Sequence, residues 1–453
     1  MRRNAIESLK KWKENPRRKP LLLLGARQVG KTWLMQEFGK THYEHVAYIR
    51  LDKDEEMKQR FDKSGYDIPR LLNDIEIRVG FSLIPGKTLI IIDEIQESPS
   101  ALTSLKYFCE DAREHHIMAA GSLLGVTQHS GTGFPVGKVN MMHLYPMSFT
   151  EFLDALGKDK LCSELKNRNW DLITSFSETL ADLLRLYYYI GGMPEVVSTY
   201  IETKNLDEVR IIQQEILDSY SSDFSKHIPS TLASKVSMLW ESVPAQLAKE
   251  NKRFIYSEVN KNMRAKDLED ALNWLLRAGL IYRINRITKP ALPLNPYEEG
   301  AFKLFFLDVG LLAAKTRLEA SVILQGNRIF QEFKGALAEQ YVQQEVRAEC
   351  NITPYYWLSE SSRIEIDFLM EHRMSIVPIE VKAETNLQAK SLKSYCTKYT
   401  PEIAVRTSMS TYHKQKIGNN EAPTTLIDLP LYAVCTMAAE CSDAMQDNEK
   451  AES

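Results

Sequence analysis

The sequence lacks any apolar run approaching the roughly 18 residues needed to span a bilayer, so no membrane segment is predicted. Residues 1–4 lead into an amphipathic segment without the apolar core of a signal peptide. The 6 cysteines include no C-x-x-C pair, which argues against a disulfide framework and against a zinc site. We therefore expect a cytoplasmic protein.

Strong charge of either sign is also missing. The formal net charge is −3, so any surface that binds nucleic acid must be local rather than global. Hydrophobic residues make up 44% and charged residues 26% of the chain, which are ordinary values for globular proteins. A length of 453 residues predicts two or three domains.

The most informative motif present is a phosphate loop near the N-terminus. Four consecutive leucines, Leu21 to Leu24, predict a buried strand, and the next eight residues match the pattern G-x-x-x-x-G-K-T. Trp33 to Phe38 continue as a helix. The predicted nucleotide-binding residues are Gly25, Ala26, Arg27, Gln28, Val29, Gly30, Lys31 and Thr32.

The residue types in this loop fit ATP and Mg²⁺. Glycines allow backbone N–H groups to surround a polyphosphate, and a helix N-terminus stabilises negative charge. Lys31 is predicted to contact the β- and γ-phosphates, and the Thr32 hydroxyl is predicted to bind Mg²⁺.

A second buried strand, residues 88–92, ends in two carboxylates. Asp93 is predicted to help hold Mg²⁺, and Glu94 to act as the general base on the attacking water. Alternatively, both acids only cap the helix that starts near Ser98. Ser122, at the end of a third strand, is a candidate γ-phosphate sensor or simply a helix N-cap.

The alternation of strands and helices up to residue 149 predicts an α/β P-loop core, a parallel sheet with helices on both faces. The next segments are mostly helical, and then a helix-turn-helix and strand pattern suggests a winged helix. The alternative to DNA contact is that this helix pair only packs the lid against the next domain. The predicted domains are the core at 1–149, a helical lid at 150–237, a winged-helix-like module at 238–325, a nuclease-like α/β domain at 326–437 and a disordered tail at 438–453.

A second chemical constellation lies in residues 363–382, which alternate as a β-hairpin. It places Asp367 on one strand and Glu380 and Lys382 on one face of the other. Two carboxylates and a lysine can bind a divalent cation and position water against a phosphodiester, with Lys382 as the catalytic lysine. Glu339, on an upstream helix, is a candidate further metal ligand. The alternative is a surface hairpin of alternating charge.

With these motifs, the chain resembles a bacterial and archaeal family of AAA-type P-loop ATPases that carry a C-terminal domain of unknown function. The resemblance covers nearly the whole length and rests on eight segments that occur in order. They are residues 25–32, 92–96, 120–122, 144–149, 191–195, 220–226, 244–249 and 303–310.

The C-terminal part of such proteins is similar to PD-(D/E)xK nucleases with a restriction-endonuclease-like fold. That resemblance implies metal ligation by Asp367, Glu380 and Glu339, and a catalytic role for Lys382. The ATPase part resembles a clade related to signalling ATPases, in which a lid and a winged helix follow the core.

The sequence thus predicts an ATP-binding, Mg²⁺-dependent ATPase that couples nucleotide state to a nuclease-like domain acting in DNA processing or defence. DNA, bound by the winged helix and the nuclease-like domain, and a second copy of the chain are the expected partners. The alternative is a nucleotide-dependent switch or scaffold whose nuclease-like domain is inactive.

Overall fold

The computed structural model describes residues 1–122, 134–226, 228–249, 252–324, 331–359, 364–385, 388–418 and 422–452. The chain divides into two compact units. The N-terminal unit comprises Arg2–Pro146 and Arg277–Leu280. The C-terminal unit comprises Met147–Leu276 and Ile281–Ser453, together with Met1.

The N-terminal unit is built on a five-stranded parallel sheet in the order β2-β3-β4-β1-β5. Strands β1 and β3 are buried along their whole length, as expected for a parallel sheet with both faces covered. This sheet confirms the predicted α/β P-loop core. Its elements are α1 (Ala5–Glu14), β1 (Leu21–Gly25), α2 (Lys31–His42), β2 (His45–Arg50), α3 (Glu55–Lys63), α4 (Ile68–Val79), β3 (Thr88–Asp93), α5 (Pro99–Asp111), β4 (His116–Ser122) and β5 (Asn140–His143).

Local sequence signals account for the helix starts in this unit. The Ser98 side chain accepts a hydrogen bond from the Ala101 N–H, and Pro99 occupies the first position of α5. Ser98 therefore caps α5. Asp93 and Glu94 do not have the capping role that was their alternative, and both carboxylates are available for other contacts.

The C-terminal unit begins with a helical region. Its helices are α6 (Phe149–Ala155), α7 (Asp159–Asn167), α8 (Trp170–Ser175), α9 (Ser177–Ile190), α10 (Pro194–Thr203), α11 (Leu206–Lys226), α12 (Ser230–Leu247), α13 (Tyr256–Val259) and α14 (Ala265–Ala278). The break between α9 and α10 has a packing reason. A Cβ on Gly192 would lie 2.1 Å from the Met147 carbonyl oxygen, so only glycine allows this approach.

A mixed eight-stranded sheet follows, in the order β12-β13-β11-β10-β9-β8-β6-β7. Its elements are β6 (Ile281–Ile287), β7 (Glu298–Phe306), α15 (Val309–Lys315), α16 (Ala320–Leu324), α17 (Gln331–Cys350), β8 (Tyr355–Leu358), β9 (Glu365–His372), β10 (Ser375–Val381), α18 (Lys390–Tyr399), β11 (Ile403–Ser408), β12 (His413–Gly418), β13 (Pro423–Pro430) and α19 (Met437–Glu452).

This sheet runs across the boundary that was predicted at residues 325 and 326. Strand β6 pairs with β7 on one side and with β8 on the other. The helix-turn-helix and strand pattern is present, but its hairpin is the edge of the larger sheet. Helix α13 has only four residues, with Ile255 as its N-cap.

The predicted disordered tail is wrong. Residues 437–452 form α19, in which Met437, Cys441, Ala444 and Met445 are buried. These four positions recur at helical spacing, so the segment gains enough apolar contact to outweigh its polar, acidic composition. Among the described residues, no helix is both long and apolar enough to cross a membrane.

Candidate functional site

The phosphate loop connects the end of β1 to the start of α2. Gly30 has φ 92° and Gln28 has φ 66°, so the loop passes twice through the left-handed region. A Cβ on Gly25 would lie 2.4 Å from the Leu144 carbonyl oxygen, which excludes any side chain there. The loop ends at the N-terminus of α2, a 12-residue helix. The N–H groups and dipole at a helix N-terminus favour a bound anion.

Lys31 folds back over this loop. Its Nζ donates hydrogen bonds to the carbonyl oxygens of Gly25 at 3.0 Å and Ala26 at 2.7 Å. Burial lowers the pKa of Lys31 to about 8, although the nearby carboxylates of Glu94 and Asp93 favour its charged form. The ammonium is thus held where a polyphosphate on the loop would meet it.

Asp93 is buried at the end of β3, and two hydroxyl groups donate to its Oδ2 atom. One is the Thr32 hydroxyl at 2.7 Å, and the other is the Tyr48 hydroxyl at 2.9 Å. The sequence motifs predicted that Thr32 and Asp93 would meet. Tyr48 was missed, because its place beside Asp93 depends on β2 pairing with β3.

Glu94 follows Asp93 with φ 53°, a left-handed conformation that is uncommon outside glycine. Its Oε2 accepts a hydrogen bond from Gln96 Nε2 at 2.6 Å. The Oε1 atom of Gln96 in turn accepts one from the backbone N–H of Ser122 at 3.3 Å. The structure therefore brings Glu94 and Ser122 to the same edge of the sheet, joined by a residue that the sequence did not single out.

The lowered pKa of Lys31 leads to a prediction about pH. We expect kcat/KM for ATP to decline above about pH 8, because this ratio reports the ionisation of the free enzyme and neutral Lys31 loses its attraction for phosphate. Bound phosphates would restore the charge, so binding at pH 8 should take up about half a proton. Calorimetry in two buffers of different ionisation enthalpy measures this uptake.

The control for this measurement is Lys31→Arg, whose guanidinium stays charged and should take up no proton. Equal uptake by both proteins would assign the proton to another group and contradict the prediction.

The C-terminal carboxylates lie on β9, β10 and α17. The Asp367 Oδ2 atom accepts a hydrogen bond from the Val381 N–H at 2.8 Å, so this carboxylate faces the strand that carries Glu380. The Lys382 ammonium lies 2.7 Å from Glu380 Oε1. Burial and the neighbouring carboxylates of Glu339 and Glu380 raise the pKa of Asp367 well above its usual value.

Two lysines that the sequence did not single out join this cluster. Lys303 is 1% exposed, and its Nζ lies 2.5 Å from Glu365 Oε1 and 3.6 Å from Glu339 Oε2. Lys252 also forms an ion pair with Glu339. The available signal for Lys303 was a single lysine inside the apolar run 301–306, a position that needs a buried partner.

The observations on a metal point in two directions. Within the described residues, Glu380 Oε2 is buried without a hydrogen-bond partner, and burial raises the pKa of Glu380, so an added cation would be stabilised there. Yet no group of three His, Cys, Asp or Glu side chains in the described ranges is arranged to hold a metal ion. Glu339 is paired with lysines instead, and the metal roles of Glu339, Asp367 and Glu380 stay predictions.

Comparison with known families places an AAA domain at residues 17–153. Residues 181–322 match a domain of unknown function, DUF8612, and residues 334–431 match another, DUF4143. The first match supports an AAA-type ATPase and a P-loop nucleotide-binding function. The other two do not say what the C-terminal unit does. No curated protein matches the chain.

Three solved structures that match this chain have low sequence identity and low TM-scores. A Walker-type ATPase of Pyrococcus abyssi has 13% identity and a TM-score of 0.44, covering 70% of this chain and 95% of its own. Cdc6p of Pyrobaculum aerophilum has 10% identity and a TM-score of 0.24, covering 70% and 91%. AMPPCP-bound DnaA of Aquifex aeolicus has 16% identity and a TM-score of 0.28, and the match covers 60% of this chain and 87% of the DnaA chain. With TM-scores below 0.5, none of them supports an argument about function.

Proposed function

We propose that the chain binds ATP with Mg²⁺ and hydrolyses it at the phosphate loop, and that the nucleotide state controls a C-terminal nuclease-like domain. The observation that carries the ATPase proposal is the contact of Thr32 with Asp93 at 2.7 Å, beside the ammonium of Lys31. A hydroxyl and a carboxylate in contact at the foot of a phosphate loop are the pair that P-loop ATPases use around Mg²⁺.

Each side chain has a separate task in this proposal. Lys31 leaves the loop carbonyls and contacts the β- and γ-phosphates, while Thr32 and Asp93 hold Mg²⁺, whose charge neutralises the phosphates. Glu94 accepts the proton of the attacking water. Ser122 senses the γ-phosphate from the end of β4.

Replacing Lys31 by alanine tests nucleotide binding. We expect the Kd for ATP to rise about 10- to 100-fold, because a charged hydrogen bond contributes roughly 1.5–3 kcal/mol. Fluorescence titration with a labelled ATP analogue measures the change.

Lys40→Ala is the matched control. Lys40 is exposed on the same helix, and its replacement removes the same positive charge. If Lys31→Ala bound and hydrolysed ATP like this control, the ATPase proposal would be wrong.

The C-terminal part of the proposal rests on the order of its elements. Helix α17 precedes the antiparallel strands β8, β9 and β10, and α18 then leads to β11, which is parallel to β10. This order, with Asp367, Glu380 and Lys382 grouped on the central hairpin, is compatible with a PD-(D/E)xK nuclease-like domain. DNA, reached through this domain and the winged-helix-like region, is the proposed substrate.

A second candidate is a switch whose nuclease-like domain binds a partner without cutting DNA. The ion pairs of Lys252 and Lys303 with Glu339 favour it, because these ammonium groups already neutralise a carboxylate that a metal would need. An ATP-dependent homo-oligomer fits either candidate, and sedimentation with and without ATP measures it.

Cleavage assays decide between the two candidates. Linear, circular and four-way-junction DNA with Mg²⁺ or Mn²⁺ should be cut by the wild type and at least tenfold more slowly by Lys382→Ala, which removes a contact to the reacting phosphate. Lys398→Ala, a change in the exposed last turn of α18, is the control. Equal absence of cleavage in all three proteins would favour the switch.

A further inference from the structure

Gln96 connects two strands of the ATPase core through its side-chain amide. The Nε2 atom donates to Glu94 Oε2 at 2.6 Å, and the Oε1 atom accepts from the Ser122 N–H at 3.3 Å. One amide therefore joins the carboxylate that follows β3 to the backbone that ends β4.

The local backbone makes this contact possible. Side chains two residues apart do not face each other on a regular helix. Here Glu94 adopts φ 53° and ψ 45°, and residues Ile95–Glu97 form a 3-10 turn. This left-handed conformation is strained for a residue with a side chain, and it is maintained only where surrounding contacts fix it. The turn brings the Gln96 amide into contact with the Glu94 carboxylate, which fixes their relative positions.

The hydrogen bond also determines which way Glu94 faces. Its Oε2 accepts the hydrogen bond from Gln96 Nε2 at 2.6 Å, which fixes the rotation of the carboxylate relative to the turn. Glu94 is also near enough to Lys31 for its charge to favour the protonated form of that lysine.

We propose that Gln96 is a positioning residue for ATP hydrolysis, which orients the Glu94 carboxylate toward the attacking water and ties that orientation to the end of β4. This inference rests on the proposed ATPase function. Its consequence is that a movement at Ser122, where a γ-phosphate would be sensed, is transmitted to the base through a single side chain.

The experiment compares single-turnover ATP hydrolysis and ATP affinity in four proteins: wild type, Gln96→Ala, Glu94→Gln and the double variant. Gln96→Ala should lower kcat about 10- to 100-fold, because a displacement of about 1 Å of a reacting group costs about that much. The Kd for ATP should change less than threefold. Glu97→Ala, in the same turn but exposed, is the matched control and should keep the wild-type kcat.

The double variant separates positioning from general structural damage. If Gln96 acts only through Glu94, then Gln96→Ala should cause no further loss in the Glu94→Gln background.

The outcomes are distinguishable. Wild-type kcat in Gln96→Ala, or fully additive losses in the double variant, would overturn the role of Gln96 while leaving the ATPase proposal intact. Absence of hydrolysis by the wild type would instead overturn the proposed function, and the role of Gln96 with it.

Discussion

Replacement of Glu94 by glutamine is expected to lower kcat for ATP hydrolysis about 10²- to 10⁴-fold, the usual contribution of a positioned general base. Glutamine has nearly the same size as glutamate and keeps an oxygen that can accept the hydrogen bond from Gln96. The local turn should therefore persist, while the group that accepts the proton of the attacking water is lost. Single-turnover hydrolysis of radiolabelled ATP measures the effect.

ATP affinity should separate this variant from a binding defect. We expect the Kd for ATP to change less than threefold, because Lys31 and Thr32, which face the phosphates in our proposal, are untouched. Glu97→Gln, an exposed change in the same turn, serves as the control and should hydrolyse ATP at the wild-type rate. A Glu94→Gln variant with more than a tenth of the wild-type kcat would show that another group acts as the base.

Replacement of Lys303 by methionine is expected to lower the free energy of unfolding by about 3–5 kcal/mol, the cost of removing one partner from a buried ion pair. Burial alone would lower the pKa of Lys303, but the carboxylates of Glu339, Glu365 and Asp367 outweigh it and raise the pKa overall. The ammonium is therefore charged in the folded protein. Methionine fills a similar volume but leaves Glu339 and Glu365 without this neutralising charge.

Urea unfolding followed by circular dichroism measures this loss, and Lys315→Met is the control. Lys315 forms an ion pair with an exposed glutamate, Glu241, and such surface pairs contribute about 0–1 kcal/mol. Adding Glu365→Gln to Lys303→Met should recover part of the stability, since the carboxylate that lost its Lys303 partner then carries no charge. A loss below about 1 kcal/mol in Lys303→Met would contradict a buried structural role.

The sign of the pH dependence gives an independent check. In the wild type, burial alone would raise the pKa of Glu339, but Lys252 and Lys303 outweigh it and lower that pKa. Loss of Lys303 should raise the pKa of Glu339, so protonation at low pH costs the variant less stability than it costs the wild type. The stability difference from the wild type should therefore be smallest near pH 5 and grow as the pH rises to 8. A difference that grows toward acid pH would mean that Lys303 does not lower the pKa of Glu339.

Much of the ATPase core could be predicted from local sequence. Residues 21–32 contain a strand and its phosphate loop, and residues 88–94 contain a strand and its terminal carboxylates. Each is a short continuous segment, so it can be recognised without knowing the order of strands in the sheet. The hairpin of β9 and β10 was predicted for the same reason. The C-terminal segment is polar overall, which predicts disorder, but its few apolar residues recur at helical spacing and are buried in α19.

The sequence by itself determined the strand–loop–helix that presents Lys31 and Thr32, and the two carboxylates Asp93 and Glu94, because each depends on neighbours within a few residues. Only the tertiary structure decided their partners. Tyr48 reaches Asp93 through the pairing of β2 with β3, and Gln96 reaches Ser122 because β3 pairs with β4. Lys303 meets Glu339 only through packing of α17 against the sheet. Contacts between residues far apart in the chain depend on sheet order and register, which a local pattern does not specify.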